Sequence, residues 1–588
     1  MTPKKTPGAT RRKRAPAPAP APAPAPSAVA VAPTNDLAAS ATEGMLGPNP
    51  FVGLHWRDVL ASSRKIGLQA AKQPALLLEQ EAILARELIS VLAGQSELDI
   101  GKGDKRFADP AWQTNPFYRR LLQGYVAWSQ ALGGFVDKSS MDPDNKARAR
   151  FAMSMLTEAM APTNSLAGNP AALKKVVDRG GTSLLSGLRN MLSDLVDNRG
   201  MPAQVDKRAF GVGRNIGLSA GAVVFRNDVL ELIQYAPTTP EVYARPQLIV
   251  PPQINKFYVF DIAPGRSIVE YMLNSGLQTF VVSWRNPTAL QRDWDMDTYV
   301  TALLEAIDAV RQITGADDVN LHGACSGAMT MSALLGYLAA RDKPVVHAAT
   351  LMVAVLGQCA DSQLCLFLTP KAVAAAKKRT ASKGVLEGRE MARVFAWLRP
   401  NDLVWNYWVN NYLMGNRPPA FDILYWNNDT TRLAARFHGQ LPDIFADGLL
   451  HRPGGLEVLG TPVDLAQVTC DKYVLAGTTD HITPWKGVYE TARAFGGKTE
   501  FVLSSSGHIQ SLINPPGNPK ARFHVRSDLP EKADDWLAGA SAMSDSWWEH
   551  WREWLVARSG ALRPAPKSLG SRRLRPGAPA PGEYVVEA

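Results

Sequence analysis

The sequence predicts an α/β protein preceded by a helical region, and three observations carry that reading. From about residue 220, short apolar runs alternate with amphipathic helical stretches. Those runs are continuously apolar, as expected of strands buried on both faces of a mainly parallel sheet. Residues from about 50 to 220, by contrast, carry almost only helical periodicity.

Taken in order, residues 75–94 and 115–132 place apolar side chains at helical spacing and define a helical N-terminal domain over 46–220. AVVFRN and LELIQYAP flank a turn at Asn227–Asp228 and read as a strand pair. QLIVPP (247–252) and TFVVSW (279–284) are the next strands, followed by a helix over 298–315 that stops at Gly315. DVNLHGA (318–324) is a strand, 328–341 a helix, and 345–356 a buried strand that carries His347. Residues 357–465 break the alternation with a stretch rich in Trp, Tyr and Asn. The sheet resumes with KYVLAGTTD (472–480) and TEFVLSSSGH (499–508). The catalytic domain is thus expected over 221–560, with 357–465 as a lid or cap. The aromatics of that insertion suit the lining of a channel, or equally packing or a dimer contact.

The ends have a different composition. Residues 1–45 join a basic segment, Lys4 to Arg14, to an alternating Pro-Ala run, which favours an extended spacer and builds no core. Residues 561–588 are Pro- and Gly-rich and expected to be peripheral. Residues 1–14 carry +6 and residues 558–588 carry +4, which together are the whole formal charge of +10, so the body between them is neutral. A basic tail can touch nucleic acid, anionic lipid or phosphates, but the favoured reading is a solvated, solubilising tail. No apolar run approaches the roughly 18 residues of a membrane span, and no apolar segment follows the basic start as in a secretory signal. Four cysteines without CxxC spacing form no disulfide framework and fit a reduced, cytoplasmic setting. Metal-site and nucleotide-loop patterns are absent, so no metal or cofactor is expected.

The chemistry gathers at three strand ends. Gly323-Ala324-Cys325-Ser326-Gly327 lies between a strand and a helix, the setting of the nucleophile elbow in the α/β-hydrolase fold. The frame puts Cys325 at its tip and Ser326 one place too late. The helix N-terminus behind Cys325 favours negative charge on the sulfur. A Gly-rich turn around an inert buried Cys is the alternative. Partners decide between them: the fold's chain order is nucleophile, acid, histidine, and Asp480 and His508 close the last two strands in that order. Either alone reads as a turn residue or a structural histidine; together with Cys325 they form a catalytic triad. The remaining histidines match no strand end in this way. The oxyanion donors expected are the backbone N–H of Ser326 and those of Gln253 and Ile254, since Pro251 and Pro252 have none. Gln253 and Ile254 read equally as part of a rigid loop.

Several long segments then resemble the polyhydroxyalkanoate synthases: LIVPPQINKFYVFDIAPGRSIVEYML, FVVSWRNP, GACSGA, residues 392–433, DHITPW and SGHIQSLINPPGNPKA. The resemblance runs from about residue 50 to 560 and into the tail. FHGQLPDIF and GHIQSLINPPGNPKA are more like the medium-chain, class II members, although the Pro-Ala tail is longer than that class leads one to expect. The resemblance implies polymerisation of (R)-3-hydroxyacyl-CoA thioesters into a polyester, with release of CoA through an acyl-enzyme on Cys325. Asp480 then either orients His508 or helps deprotonate the attacking hydroxyl. It also implies a homodimer at the surface of a cytoplasmic polyester granule, with the growing chain as a partner and no nucleic acid. Two rival readings are a polyester depolymerase or thioesterase of the same fold, and a non-enzymatic granule-associated protein.

Overall fold

The structure, a computed structural model, describes residues 67–69, 71–99, 104–357, 369–392 and 400–587. The 1–45 tail, Cys359 and Cys365 lie outside these residues.

The strands expected from the sequence form one sheet. Its members are β1 (Gly221–Arg226), β2 (Leu230–Tyr235), β3 (Gln247–Val250), β4 (Thr279–Trp284), β5 (Val319–Ala324), β6 (Val346–Met352), β7 (Asp471–Gly477), β8 (Thr499–Ser504), β9 (Arg522–Arg526) and β10 (Ser541–Ser544). Their spatial order is β1-β2-β4-β3-β5-β6-β7-β8-β9-β10. Neighbours from β4 to β8 are all parallel. The pairs at either margin are antiparallel. Every residue of β2 to β5 is buried, as continuous apolar runs require. Successive side chains serve opposite faces: Phe280 and Val282 enter one core, Val281 the other.

Among the helices described ahead of the sheet are α1 (Pro74–Ala93), α2 (Pro116–Lys138), α3 (Pro143–Ala159), α4 (Pro170–Asp178) and α5 (Thr182–Asp197). Asn115, Asp142 and Asn169 accept N-terminal N–H groups of α2, α3 and α4, each with Pro in the first turn. α5 has an unusual burial pattern. Its buried residues are Ser183, Gly187 and Asp194, while Leu185, Leu188, Leu192 and Val196 are exposed. Gly187 is required because a Cβ there would stand 1.9 Å from the Tyr412 carbonyl oxygen. The aromatic part of the insertion therefore docks on this helix, and Tyr412 donates a 2.8 Å hydrogen bond to Asp194. Trp408 likewise donates to the Asn164 carbonyl. Of the readings open for these aromatics, packing on the N-terminal helices is the one that Trp408 and Tyr412 display.

Within the sheet region, α6 (Met296–Thr314) starts at Asp295, whose side chain accepts the Thr298 N–H, and ends at Gly315 with φ 69°. This cap explains a start two residues ahead of the expected one. α7 (Ser326–Ala340) follows β5 directly. β6 stops at Met352, short of the expected 356, because Val353 turns to φ 46° and gives its N–H to Leu475. In the insertion, α8 (Pro370–Lys383) and α9 (Ala435–Asp447) pack together, and Phe437, Leu441 and Ile444 join the sheet's core. The helix α10 (Trp547–Val556) and the strands β9 and β10 were not expected.

Residues 561–587 are largely exposed, apart from the buried Tyr584 and Val585, and are tied down. Leu562–Pro564 pairs with Glu241–Tyr243. Further on, the Glu583 and Tyr584 N–H groups both donate to the buried Glu231 carboxylate of β2. Among the described residues, no helix is long and apolar enough to cross a membrane, and no group of His, Cys, Asp and Glu is placed to hold a metal ion.

Candidate active site

Cys325 stands between β5 and α7 at φ 49° and ψ −123°, a conformation an L-residue adopts only when its surroundings enforce it. Those surroundings are close-packed backbone. A Cβ on Gly323 would come 2.7 Å from Ala328 Cα, and one on Gly327 would come 2.4 Å from the carbonyl oxygens of Val250 and Pro251. The two glycines thus let α7 fold back on its own strand and approach the end of β3. The Cys325 N–H is fixed by the Met352 carbonyl at 3.0 Å, and the thiol remains partly accessible.

The loops after β7 and β8 meet beside this turn. Gly477 makes the approach possible: a Cβ there would stand 2.5 Å from the Ser506 carbonyl and from Ser511 Oγ. The backbone N–H of Thr479 donates to the Ser506 carbonyl, which fastens one loop to the other. Asp480 and His508 are thereby brought together, Nδ1 to Oδ2 at 2.7 Å. The other carboxylate oxygen accepts the N–H groups of Ile482 and Thr483 at 2.9 Å each. Thr483 Oγ1 donates to Asp480 Oδ2 at 2.7 Å and lies 3.1 Å from His508 Nδ1.

Electrostatics follow from this burial and pairing. Burial by itself disfavours charge on His508, but the Asp480 carboxylate and a hydrogen bond from the ring to the Cys325 sulfur prevail, and its pKa is pushed up to about 10. Burial likewise opposes charge on Asp480, and the His508 pairing with the Thr483 hydrogen bonds holds it below the usual carboxylate range. A ring with this proton affinity, oriented through Nδ1, is suited to take a proton from the Cys325 sulfur.

The loop after β3 corrects one expectation. The Gln253 N–H is not free: it donates to Ser326 Oγ at 3.1 Å. Its side chain donates to Thr330, and its carbonyl accepts the Thr431 hydroxyl at 2.6 Å. The hydroxyl of Ser326 thus takes up the donor that the sequence offered for an oxyanion. Ser326 opens α7, so its own N–H has no intrahelical partner, and the Ile254 N–H follows Gln253 on the same loop.

Sequence reading missed several supports. Thr483 is one; DHITPW shows a threonine three residues after the acid, the spacing of a side chain that turns back on it. α10 is another. The Trp547 and Trp548 indoles donate to the Ser511 and Leu512 carbonyls, the C-terminal end of the short helix His508–Leu512. Thr431, from the insertion, is the third. Other histidines among the described residues serve elsewhere. His322 is buried between Gln247 and Thr350 with its pKa lowered to about 3 by burial. His451 and His550 bond to Glu490 and Tyr473.

Residues 103–272 match the family described as Poly-beta-hydroxybutyrate polymerase (PhaC) N-terminus, and 255–515 match the alpha/beta hydrolase fold. The chain is 54% identical to Poly(3-hydroxyalkanoate) polymerase 1 of Ectopseudomonas oleovorans over 94% of its length and 99% of that protein's. It is 49% identical to polymerase 2 of the same organism, over 92% of this chain and 96% of the relative. Identity to the Cupriavidus necator polymerase subunit PhaC is 41%, over 84% of each chain.

Proposed function

The chain belongs to the poly(3-hydroxyalkanoate) polymerases, and from that premise we propose that it polymerises (R)-3-hydroxyacyl-CoA thioesters, of medium chain length, through Cys325, His508 and Asp480. His508 takes the thiol proton, and the Cys325 sulfur attacks the thioester carbonyl. The carbonyl oxygen becomes an oxyanion facing the Ser326 and Ile254 N–H groups. The C–S bond to CoA breaks, CoA sulfur leaves with the proton from His508, and the acyl group stays on Cys325. The hydroxyl of an incoming unit or growing chain then attacks that acyl group. His508 accepts its proton and returns it to the Cys325 sulfur as the new ester leaves. Asp480 fixes the ring through Nδ1 and balances its positive charge.

A sulfur nucleophile suits this exchange, because a thioester on the enzyme remains reactive toward an alcohol. Water must be excluded for a polyester to accumulate, and the packed insertion supplies cover. Seating as a homodimer at a cytoplasmic polyester granule belongs to the same proposal.

The observation that carries the reading is the thiol held at a strained turn against a paired histidine and carboxylate. The test is CoA release and product extraction with 3-hydroxydecanoyl-CoA and 3-hydroxybutyryl-CoA, using Cys325→Ala as control. Polymer and CoA from the longer substrate, lost by a factor on the order of 10³ or more in the variant, are expected. CoA with only free hydroxy acid would make the enzyme a hydrolase. Activity that survives in Cys325→Ala would remove the sulfur from the mechanism.

A further inference from the structure

A basic pocket opens beside the loop that follows β3. Lys207, Arg199 and Arg389 line it, together with Asn198, Asn428 and Thr430. Its position is fixed relative to the catalytic elbow through two contacts. Thr430 bridges Asn255, and the adjoining Thr431 holds Gln253 by its carbonyl. The pocket is therefore one residue removed from the loop that carries Ile254.

Three cations gathered around one concavity repel one another unless an anion joins them. Lys207 shows this. Burial and then the Arg389 charge lower its pKa, with Asp429 acting the other way. Two carboxylates, Asp429 and Asp197, stand near the three cations. Asp429 pairs with Lys256 at 3.1 Å and accepts the Tyr258 hydroxyl. Asp197, the acid in the lining, accepts Ser193 Oγ at 2.9 Å. Among the described residues, neither Arg199 nor Arg389 forms an ion pair. Lys207 has only a long bond, 3.4 Å, to the Asn428 carbonyl. Carboxamides at Asn198 and Asn428 add neutral donors of the kind that phosphate oxygens accept.

We infer that this pocket receives a phosphate group of the CoA moiety while the thioester lies at Cys325. The inference rests on the proposed acyl-CoA substrate. In that substrate the pantetheine arm separates the thioester sulfur from the phosphates, so a phosphate subsite belongs away from the thiol, along the same wall. A cationic pocket reached through the oxyanion loop meets that requirement. It also gives the enzyme a hold on the leaving group that is independent of the acyl chain.

The test compares two thioesters of one acyl group, an (R)-3-hydroxyacyl-CoA and the corresponding acyl-pantetheine, which lacks phosphate. The wild type and the Lys207→Gln/Arg389→Gln double variant are assayed with both. The loss of two charge-assisted contacts is expected to raise KM for the CoA thioester about 10-fold or more, with kcat little changed. KM for acyl-pantetheine is expected to stay the same, which also shows that the variant is folded. An equal rise with both substrates, or no rise with the CoA thioester, overturns the inference. Calorimetry of CoA, pantetheine and inorganic phosphate separates this result from the fate of the reaction itself. Weaker binding of CoA alone in the variant supports the subsite even if no polymer forms. Inorganic phosphate that binds as tightly as CoA reduces the pocket to a general anion site.

Discussion

The central strands of the sheet and the helix α5 ahead of it are buried in different ways. In β2 to β5 every side chain is inside, and the cores on the two faces are aliphatic and aromatic. In α5 the buried positions are Ser183, Gly187 and Asp194, and five large apolar side chains, Leu184, Leu185, Leu188, Leu192 and Val196, are exposed. One region is held by apolar packing that fixes strand ends to within a hydrogen bond. The other is held by close backbone approach and by polar contacts such as Asp194 with Tyr412. The difference teaches that precision of the site comes from the sheet. The α5 face contributes a docking surface for the insertion.

Four changes test that contrast, from the largest effect down. Asp480→Asn is expected to lower polymerisation by a factor on the order of 10³ to 10⁴ by removing the ring's orienting acceptor. Its stability deficit should also depend on pH. His508 is raised in the folded state, so the pair's contribution is complete below about 6.5 and fades as pH rises through about 10. Urea melts at pH 5, 7 and 9.5 should therefore show the gap to wild type closing with pH. A gap that widens would reverse the assignment of charge. Gly327→Ala drives a Cβ into the Val250 and Pro251 carbonyls and is expected to cost about 2–3 kcal/mol in chemical denaturation. A neutral result would mean that the elbow is not the rigid element described. Thr431→Val leaves the buried Gln253 carbonyl without its hydroxyl donor and is expected to cost about 1–2 kcal/mol, with a severalfold lower kcat. Leu188→Gln on α5 should change stability by less than about 0.5 kcal/mol. A loss comparable with that of Gly327→Ala would show that its outer face is covered in solution.

Much of the site was legible because its signals are local. A Gly-x-Cys-x-Gly turn between strand and helix is written in five residues, and each of Asp480 and His508 closes an apolar strand. What escaped was carried by long-range pairing. RFHVR and SAMS pair at the sheet margin, yet β10 is exposed throughout, so no apolar pattern marked it. The indoles of α10 reach carbonyls 36 residues earlier, which no periodicity reveals. The use of the Gln253 N–H by Ser326 depends on a side-chain rotamer across two elements. Lys207 and Arg389 come together only through tertiary packing.

The tie between Glu231 and the distant Glu583 and Tyr584 N–H groups bears on the order in which the molecule is made. β2 leaves the ribosome some 352 residues before the backbone donors that receive its carboxylate. Until then Glu231, fully buried in the finished sheet, has Arg226 as its side-chain partner. The first hairpin is thus left incomplete through most of synthesis and is sealed late. An enzyme that makes a water-insoluble product has reason to complete its fold as one event, and a polar latch of this kind would couple the earliest strands to the last part of the chain.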